Sequence, residues 1–160
     1  MTDARFEDAP YSDRPLKLRA ESEDDLAVIS SLVQDAVGKT ADIHWLAKKH
    51  RVVLMLNRFR WENHIGDRAG ARACERVRTA LTLEAALRVR ARGLDPRDGE
   101  QVFELLALLF QPRDGPSGTL ILTMAGGAEL AVEVECLELS LADLSRPWAA
   151  RARTVPAHQD

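Results

Sequence analysis

The stretch "LNRFRWE" at residues 56–62 sets arginine in alternation with aromatic side chains, and "RVR" at 76–78 and "LRVRAR" at 87–92 repeat the alternation. Arginine offers a planar, permanently charged fork that fits carboxylate or phosphate oxygens in pairs. Arg58, Arg60, Arg76, Arg78, Arg88 and Arg90 are therefore the candidate anion-binding residues. A period of two is the pleat of a β-strand, so each run predicts a row of guanidiniums on one sheet face. If strands 51–61 and 76–84 pair antiparallel, Arg60 is expected opposite Arg76 and Arg58 opposite Arg78. Like charges directly opposite are unfavourable, so something must offset them. The first reading is an internal ladder built from Glu129, Glu133 and Glu135, each pair contributing ~0.2–1 kcal/mol. The alternative is a bound anion or nucleic acid. An RNA-binding sheet stacks bases on exposed aromatics, whereas Phe59 and Trp61 have the parity of Val53 and Met55, opposite the arginines. Nucleic acid is accordingly disfavoured but kept as the alternative.

Other residue types carry weaker signals. No nucleophile elbow, paired-histidine zinc motif, phosphate loop or dinucleotide fingerprint is present. His44 and His50 sit six apart across a turn, with His64 in the next loop and His158 near the end; this spacing matches no zinc pattern, and no metal is expected. Cys74 lies among Arg72, Arg76 and Arg78, which would lower its pKa, but no base accompanies it. Cys136 has the parity of a buried strand residue and reads as a core thiol. Glu133 and Glu135 share a strand face and read as a solvated pair. No catalytic residue and no cofactor is assigned.

The chain's 160 residues carry a net charge of −3 that is unevenly laid out. Residues 1–50 hold 7 basic and 10 acidic side chains, residues 51–92 hold 10 and 4, and residues 93–160 hold 5 and 11. A basic middle beside an acidic end suggests either an anion site or mutual neutralisation. Two cysteines without a CxxC pair suit a reduced, cytoplasmic setting. The polar first fifteen residues lack a secretory core, and the run Leu105–Phe110 is too short to cross a bilayer.

The elements that must position these residues follow from periodicity. Residues 1–15 read as a flexible tail, 16–145 as one domain and 146–160 as a second tail, with Trp148 as a pin. Residues 16–19 begin a strand. Ser22 caps a helix over about 23–37, with Glu23, Asp24 and Asp25 in its first turn, an apolar face including Leu26, Ile29, Val33 and Val37, and Gly38 as its stop. "ADIHWLA" and "RVVLMLNRFRW" form a hairpin around "KKH". In the second of these strands the start is expected to be covered on both sides and the arginine end to have one wet side. Residues 63–73 form a long loop. Residues 76–92 alternate for too long to be one strand, and a break is expected near "LEAAL". "EQVFELLALLFQP" is ambiguous: its Glu100–Glu104 part could make a helical turn, and "LLALLF" suits a strand buried on both faces. "TLILTM" and "AELAVEVE" make a hairpin about Gly126 and Gly127, and a bulge is expected near 136–137, where the apolar phase slips. The expected core includes Leu81, Leu83, Leu87, Val89, Val132 and Val134, with Ile29 and Val33 packed on the sheet. The fold class is α+β: a single domain with about seven mainly antiparallel strands in a strongly curved sheet or barrel, and one clear N-terminal helix.

"DDLAVISSLVQDAV", "LNRFRWE", "ALRVRARGLD" and "VEVECLELSLADL", in this order, resemble an uncharacterised domain-of-unknown-function family of small alphaproteobacterial proteins, over roughly Leu16 to Arg153. The resemblance implies no activity and carries over no functional residue. The first functional expectation is a non-enzymatic interaction or accessory module without a membrane segment, with a protein partner of unknown identity. The alternatives are an anion or nucleic-acid binder on the arginine face and an enzyme without a recognisable motif.

Overall fold

The computed structural model describes residues 2–3, 15–60, 75–144 and 148–149. One helix, α1 (Glu23–Leu32), accompanies twelve strands: β1 (Thr2–Asp3), β2 (Lys17–Ala20), β3 (Val37–Lys39), β4 (Ile43–Leu46), β5 (Arg51–Phe59), β6 (Glu75–Leu83), β7 (Ala86–Arg92), β8 (Val102–Pro112), β9 (Gly118–Met124), β10 (Glu129–Val134), β11 (Leu139–Asp143) and β12 (Trp148–Ala149). They form one sheet in the order β1-β2-β11-β6-β5-β3-β8-β9-β10-β7, with β4 added to β5 and β12 to β6. Every pairing is antiparallel except the two-residue β1–β2 contact. The fold is α+β, with more and shorter strands than the seven expected.

The predicted break in residues 76–92 falls at Glu84–Ala85, where Ala85 takes a left-handed conformation with φ 58°. Strand β6 stands fourth in the order and β7 last, yet two residues separate them. The path must therefore curl back on itself, and this ribbon turns the corner between its halves. Strand β8 makes a second corner, pairing with β3 through Val102–Glu104 and with β9 beyond a bulge between Leu105 and Ala107. The hydrogen-bonded path keeps two ends, so the sheet is not closed into a barrel.

Helix α1 starts as its sequence dictates, with the Ser22 hydroxyl accepting from the Asp25 N–H at 3.1 Å. It ends five residues early. Asp35 turns left-handed at φ 64°, and Val37–Lys39 leave to pair with β5 and β8 as β3. Gly38 is thus a strand residue: a Cβ there would lie 2.8 Å from the Phe103 ring, so only glycine lets β3 approach β8 this closely. Leu26, Ile29, Leu32 and Val33 are buried on the sheet, and the Leu108 N–H donates to Ser30 Oγ.

Inside, the apolar rows match across strands. Val52, Leu83 and Leu139 form one row and Leu54, Leu81, Leu141 and Leu18 the next, all essentially inaccessible. The core residues expected on β6, β10 and α1 are buried. Two expectations fail at irregularities. Leu87 is 47% exposed because the β7–β10 register shifts there: Ala86 pairs with Val134 and Arg88 with Glu133, leaving Leu87 bulged. Val89, next along, is half-buried. The β8 bulge likewise turns Leu106 outward, and "LLALLF" is covered on one side only, with Leu109 half-exposed. The phase slip near 136 is a bend between β10 and β11 rather than a bulge within one strand.

Leu81→Ala should therefore cost ~2–5 kcal/mol in chemical denaturation, as for other filled cores. Leu87→Ala should stay within about 0.5 kcal/mol, as at a surface. Equal losses at both positions would contradict this placement.

Candidate functional site

The arginine rows do not make one face. In β5 the core side runs Val52, Leu54, Leu56 and then Arg58, so the side expected to be wet is the buried one, and the end of the strand is covered on both sides. Arg58 is wholly inaccessible. Its Nε donates to Asp143 Oδ1 at 3.0 Å, its Nη2 to Asp143 Oδ2 at 2.9 Å, and its Nη1 to the Phe59 carbonyl at 3.0 Å. Asp143 Oδ2 also accepts from the Leu16 N–H at 3.2 Å. Arg60, 4% exposed, donates to Glu75 at 3.0 Å.

The β5–β6 register is one residue away from the expected one: Phe59 opposes Arg76, Arg58 opposes Val77 and Asn57 opposes Arg78. The feared arginine–arginine juxtaposition never arises. Arg76 lies 4.3 Å over the Phe59 ring, a cation–π contact, and its buried Nε has no hydrogen-bond partner among the described residues. Burial lowers its pKa from the usual arginine range. Arg78 reaches Asn57 at 3.2 Å and Asp42 at 3.4 Å. The carboxylates engaging this group include Asp143, Glu75 and Asp42.

Two of the expected glutamates, Glu129 and Glu133, serve another row, and Glu135 is exposed beyond β10. Arg88, Arg90 and Arg92 stand on the outer side of β7, facing β10. Glu129 meets Arg92 at 3.1 Å, and Glu133 lies 3.6 Å from Arg90 and 3.7 Å from Arg113. These pairs are open to water and contribute little to stability.

Beside this row the sheet is split. Among the described residues β7 forms a ladder with β10 alone and β4 with β5 alone, so each presents an edge that no described strand pairs. At one end β7 reaches the turn that leads from β4 to β5, where the Ala86 N–H donates to the His50 carbonyl at 2.9 Å. At the other end Ile43 and Ala91 line a common cleft with Thr40, Leu94, Pro96 and Leu130, so the strands run antiparallel past each other. The cleft measures 230 Å³, below the ~300–1,000 Å³ usual for small-molecule sites. Loop 93–101 fixes its far wall: the Thr40 and Ala41 N–H groups donate to the Gln101 and Gly99 carbonyls, and the Gln101 side chain spans from Gly93 to Asp95. Sequence reasoning missed this split. Its traces are the exposed Trp45, Leu46 and Leu87 on short strands.

Two other groups have shifted acidity. Asp35 is buried beside Glu104, and burial, then a hydrogen bond with Asp35 and its charge, raises the Glu104 pKa above the usual glutamate range. Cys136 is half-buried in the β10–β11 bend rather than in the core. Burial and then Glu138, Glu135 and Glu21 push its thiol up, away from the thiolate a nucleophile needs. It lines a second cleft, of 310 Å³, with Glu21, Ser22 and Phe110. Among the described residues no three His, Cys, Asp or Glu side chains group to hold a metal ion. Cys74, His64, His158, Trp61 and the 63–73 loop lie outside the described residues.

The chain belongs to a family described as "Protein of unknown function (DUF2948)", whose model matches residues 16–158. No curated protein and no solved structure matches it.

Asp143→Ala strands a buried guanidinium and should cost ~3–5 kcal/mol, while Arg58→Met with Asp143→Leu should recover much of that loss; denaturation of the single and double variants checks it. Because the folded state raises the Glu104 pKa, it binds a proton that the unfolded chain has released. Stability should fall as pH rises from the ordinary glutamate pKa through the raised one. Glu104→Gln, which keeps a donor toward Asp35, should flatten that fall and raise Tm at neutral pH. An unchanged pH profile would refute the assignment.

Proposed function

We propose that the protein is a non-enzymatic interaction module that accepts an extended segment of a partner protein as an added β-strand. The observation that carries this reading is that β4 and β7 each have one edge without a ladder partner among the described residues, with Ile43 and Ala91 lining a common cleft and Ile43, Val89 and Leu94 packed on the core. Unpaired strand edges are templates for pairing, and strand addition takes affinity from main-chain hydrogen bonds and specificity from pockets for alternate side chains. A cleft of 230 Å³ suits such a side chain better than a cofactor. No helix among the described residues is long and apolar enough to cross a membrane. A reduced cytoplasmic setting is part of the proposal, supported by a composition with two cysteines in 160 residues.

The anion-binding alternative loses Arg58 and Arg60 to burial; Arg76 and Arg78 are partly buried against Phe59 and Asp42, and Arg88, Arg90, Arg92 and Arg113 of the outer row are exposed. Glu129 and Glu133 stand in that row, well within the ~8 Å Debye length of physiological salt, and oppose a polyanion.

A pool of extended peptides about eight residues long, of mixed outward-facing residue types, tests the reading with isotope-labelled full-length protein. The pool should shift amides of residues 43–46 and 86–92 and slow their hydrogen exchange. The same pool N-methylated at alternate positions should do neither, since it cannot form the ladder. Shifts confined to other surfaces, or no shifts, would overturn the reading. Fluorescence anisotropy with a labelled oligonucleotide should show no binding at physiological salt. Tight, salt-sensitive binding lost in Arg88→Ala with Arg90→Ala would establish the alternative instead.

A further inference from the structure

The split in the sheet has a chemical as well as a geometric preference. We infer that its partner segment is an acidic strand, with carboxylates at alternate positions on its outer side and apolar residues on its inner side. This rests on the strand-addition reading and specifies whom the edge accepts.

The inner side is set by the cleft. Ile43 and Trp45 on β4, and Val89 and Ala91 on β7, point toward the core side of their strands. Ile43 and Val89 pack against the core, while Trp45 is 38% exposed at the mouth. A strand added to the β7 edge presents every second side chain to that inner side. Charged side chains there would lose hydration beside Leu94 and Leu130 without a partner.

The outer side is set by β7. Its intervening residues are Arg88, Arg90 and Arg92, all exposed. In the next strand their ladder partners are Glu133, Ala131 and Glu129, three arginines against two glutamates. Glu133 is shared with Arg113, which lies 3.7 Å from one of its oxygens while Arg90 lies 3.6 Å from the other. Neutralisation on the inner flank of the row is thus incomplete, and on the outer flank β7 has no neighbouring strand among the described residues. Residues added directly opposite on that flank stand ~4.5–5.5 Å away at Cβ. Carboxylates complete the row from this side, whereas lysine or arginine would put like charges in register.

The same argument excludes a second copy of β7 as the occupant, because edge-to-edge pairing would set arginine against arginine. It also disfavours nucleic acid. The exposed Trp45 lies on the inner side of its strand, the side of Val52, and offers no stacking platform on the outer side.

The test uses three synthetic peptides of about eight residues. Each alternates valine with a second residue that is glutamate, threonine or lysine, and each is titrated into the full-length protein at physiological salt. Binding is read by anisotropy of a terminal dye and by the amides of residues 43–46 and 86–92. The glutamate peptide should bind at least about tenfold tighter than the threonine peptide, equivalent to ~1.4 kcal/mol, and its advantage should shrink as salt rises. The lysine peptide should not bind. Arg88→Glu with Arg90→Glu, at exposed positions and checked for an unchanged thermal transition, should reverse the order of the glutamate and lysine peptides. Equal binding of the glutamate and threonine peptides would overturn the acidic preference while leaving strand addition standing. Failure of all three would overturn both. Competition by an oligonucleotide at the same arginines would replace the acidic strand with a polyanion site.

Discussion

Taking Arg58 and Asp143 out of water together is the constraint around which this sheet is arranged. A lone guanidinium in this interior would be prohibitive, and a bidentate carboxylate is the geometry that makes burial tolerable. Asp143 sits on β11 and Arg58 on β5, with β6 between them, so the pair reaches across three strands. Asp143 also holds the entry to β2: Leu16 donates its N–H to the carboxylate, and the Asp143 N–H donates to the Leu16 carbonyl. One charge pair thereby ties β11 both to the chain entering β2 and to the register of the central strands. A one-residue slip of β5 against β6 would send Arg58 outward and leave Asp143 buried without a counterion, so the pair specifies register as well as stability.

The corners follow from what the pair leaves free. The half of the sheet holding Arg58 and Asp143 is registered by them. The half formed by β8, β9, β10 and β7 is joined to it through two irregularities, the Ala85 turn and the β8 bulge. At each shift in the ladder one leucine loses its place: Leu87 at the β7 register shift and Leu106 at the β8 bulge. Curvature is obtained at the cost of exposed apolar surface, and the curl still leaves β4 and β7 each with an edge that no described strand pairs. The open edge and the bulged leucines are two results of one geometric compromise.

Much of this was legible in the residues. Ser22 capped the helix, "KKH" and "AGG" turned hairpins, and Val132 and Val134 kept the parity of buried residues. The misplaced features share a cause, namely reading chemistry before phase. Arg58 continues the parity of Val52, Leu54 and Leu56, just as Asp143 continues that of Leu139 and Leu141. Two apolar alternations, each ending in phase with an opposite charge, were a signal for a buried pair. Assigning arginine to water by residue type obscured it. The helix was drawn too long because Val37 fits its apolar stripe, and a single-sequence pattern cannot foresee that Asp35 turns left-handed and that residues 37–39 gain more from two strand partners. The split between β4 and β7 was illegible because it depends on which strands fail to meet, a property of topology rather than of any segment.

The uneven charge of the chain now has a physical distribution. Arg58, Arg60 and Arg78, from the basic middle, are engaged by Asp143, Glu75 and Asp42, carboxylates scattered along the sequence. Arg58 and Arg60 are held by short, charge-assisted hydrogen bonds, and the Arg58–Asp143 pair is closed off from water. Arg90, Arg92 and Arg113 are engaged by Glu129 and Glu133 at the surface, where side chains stay hydrated and pairs exchange easily. An incoming carboxylate can therefore recruit a β7 guanidinium without dismantling the fold, which it could not do at Arg58. Electrostatic selectivity at low structural cost is available where neutralisation is shallow and shared, and in this molecule that place coincides with an unpaired strand edge.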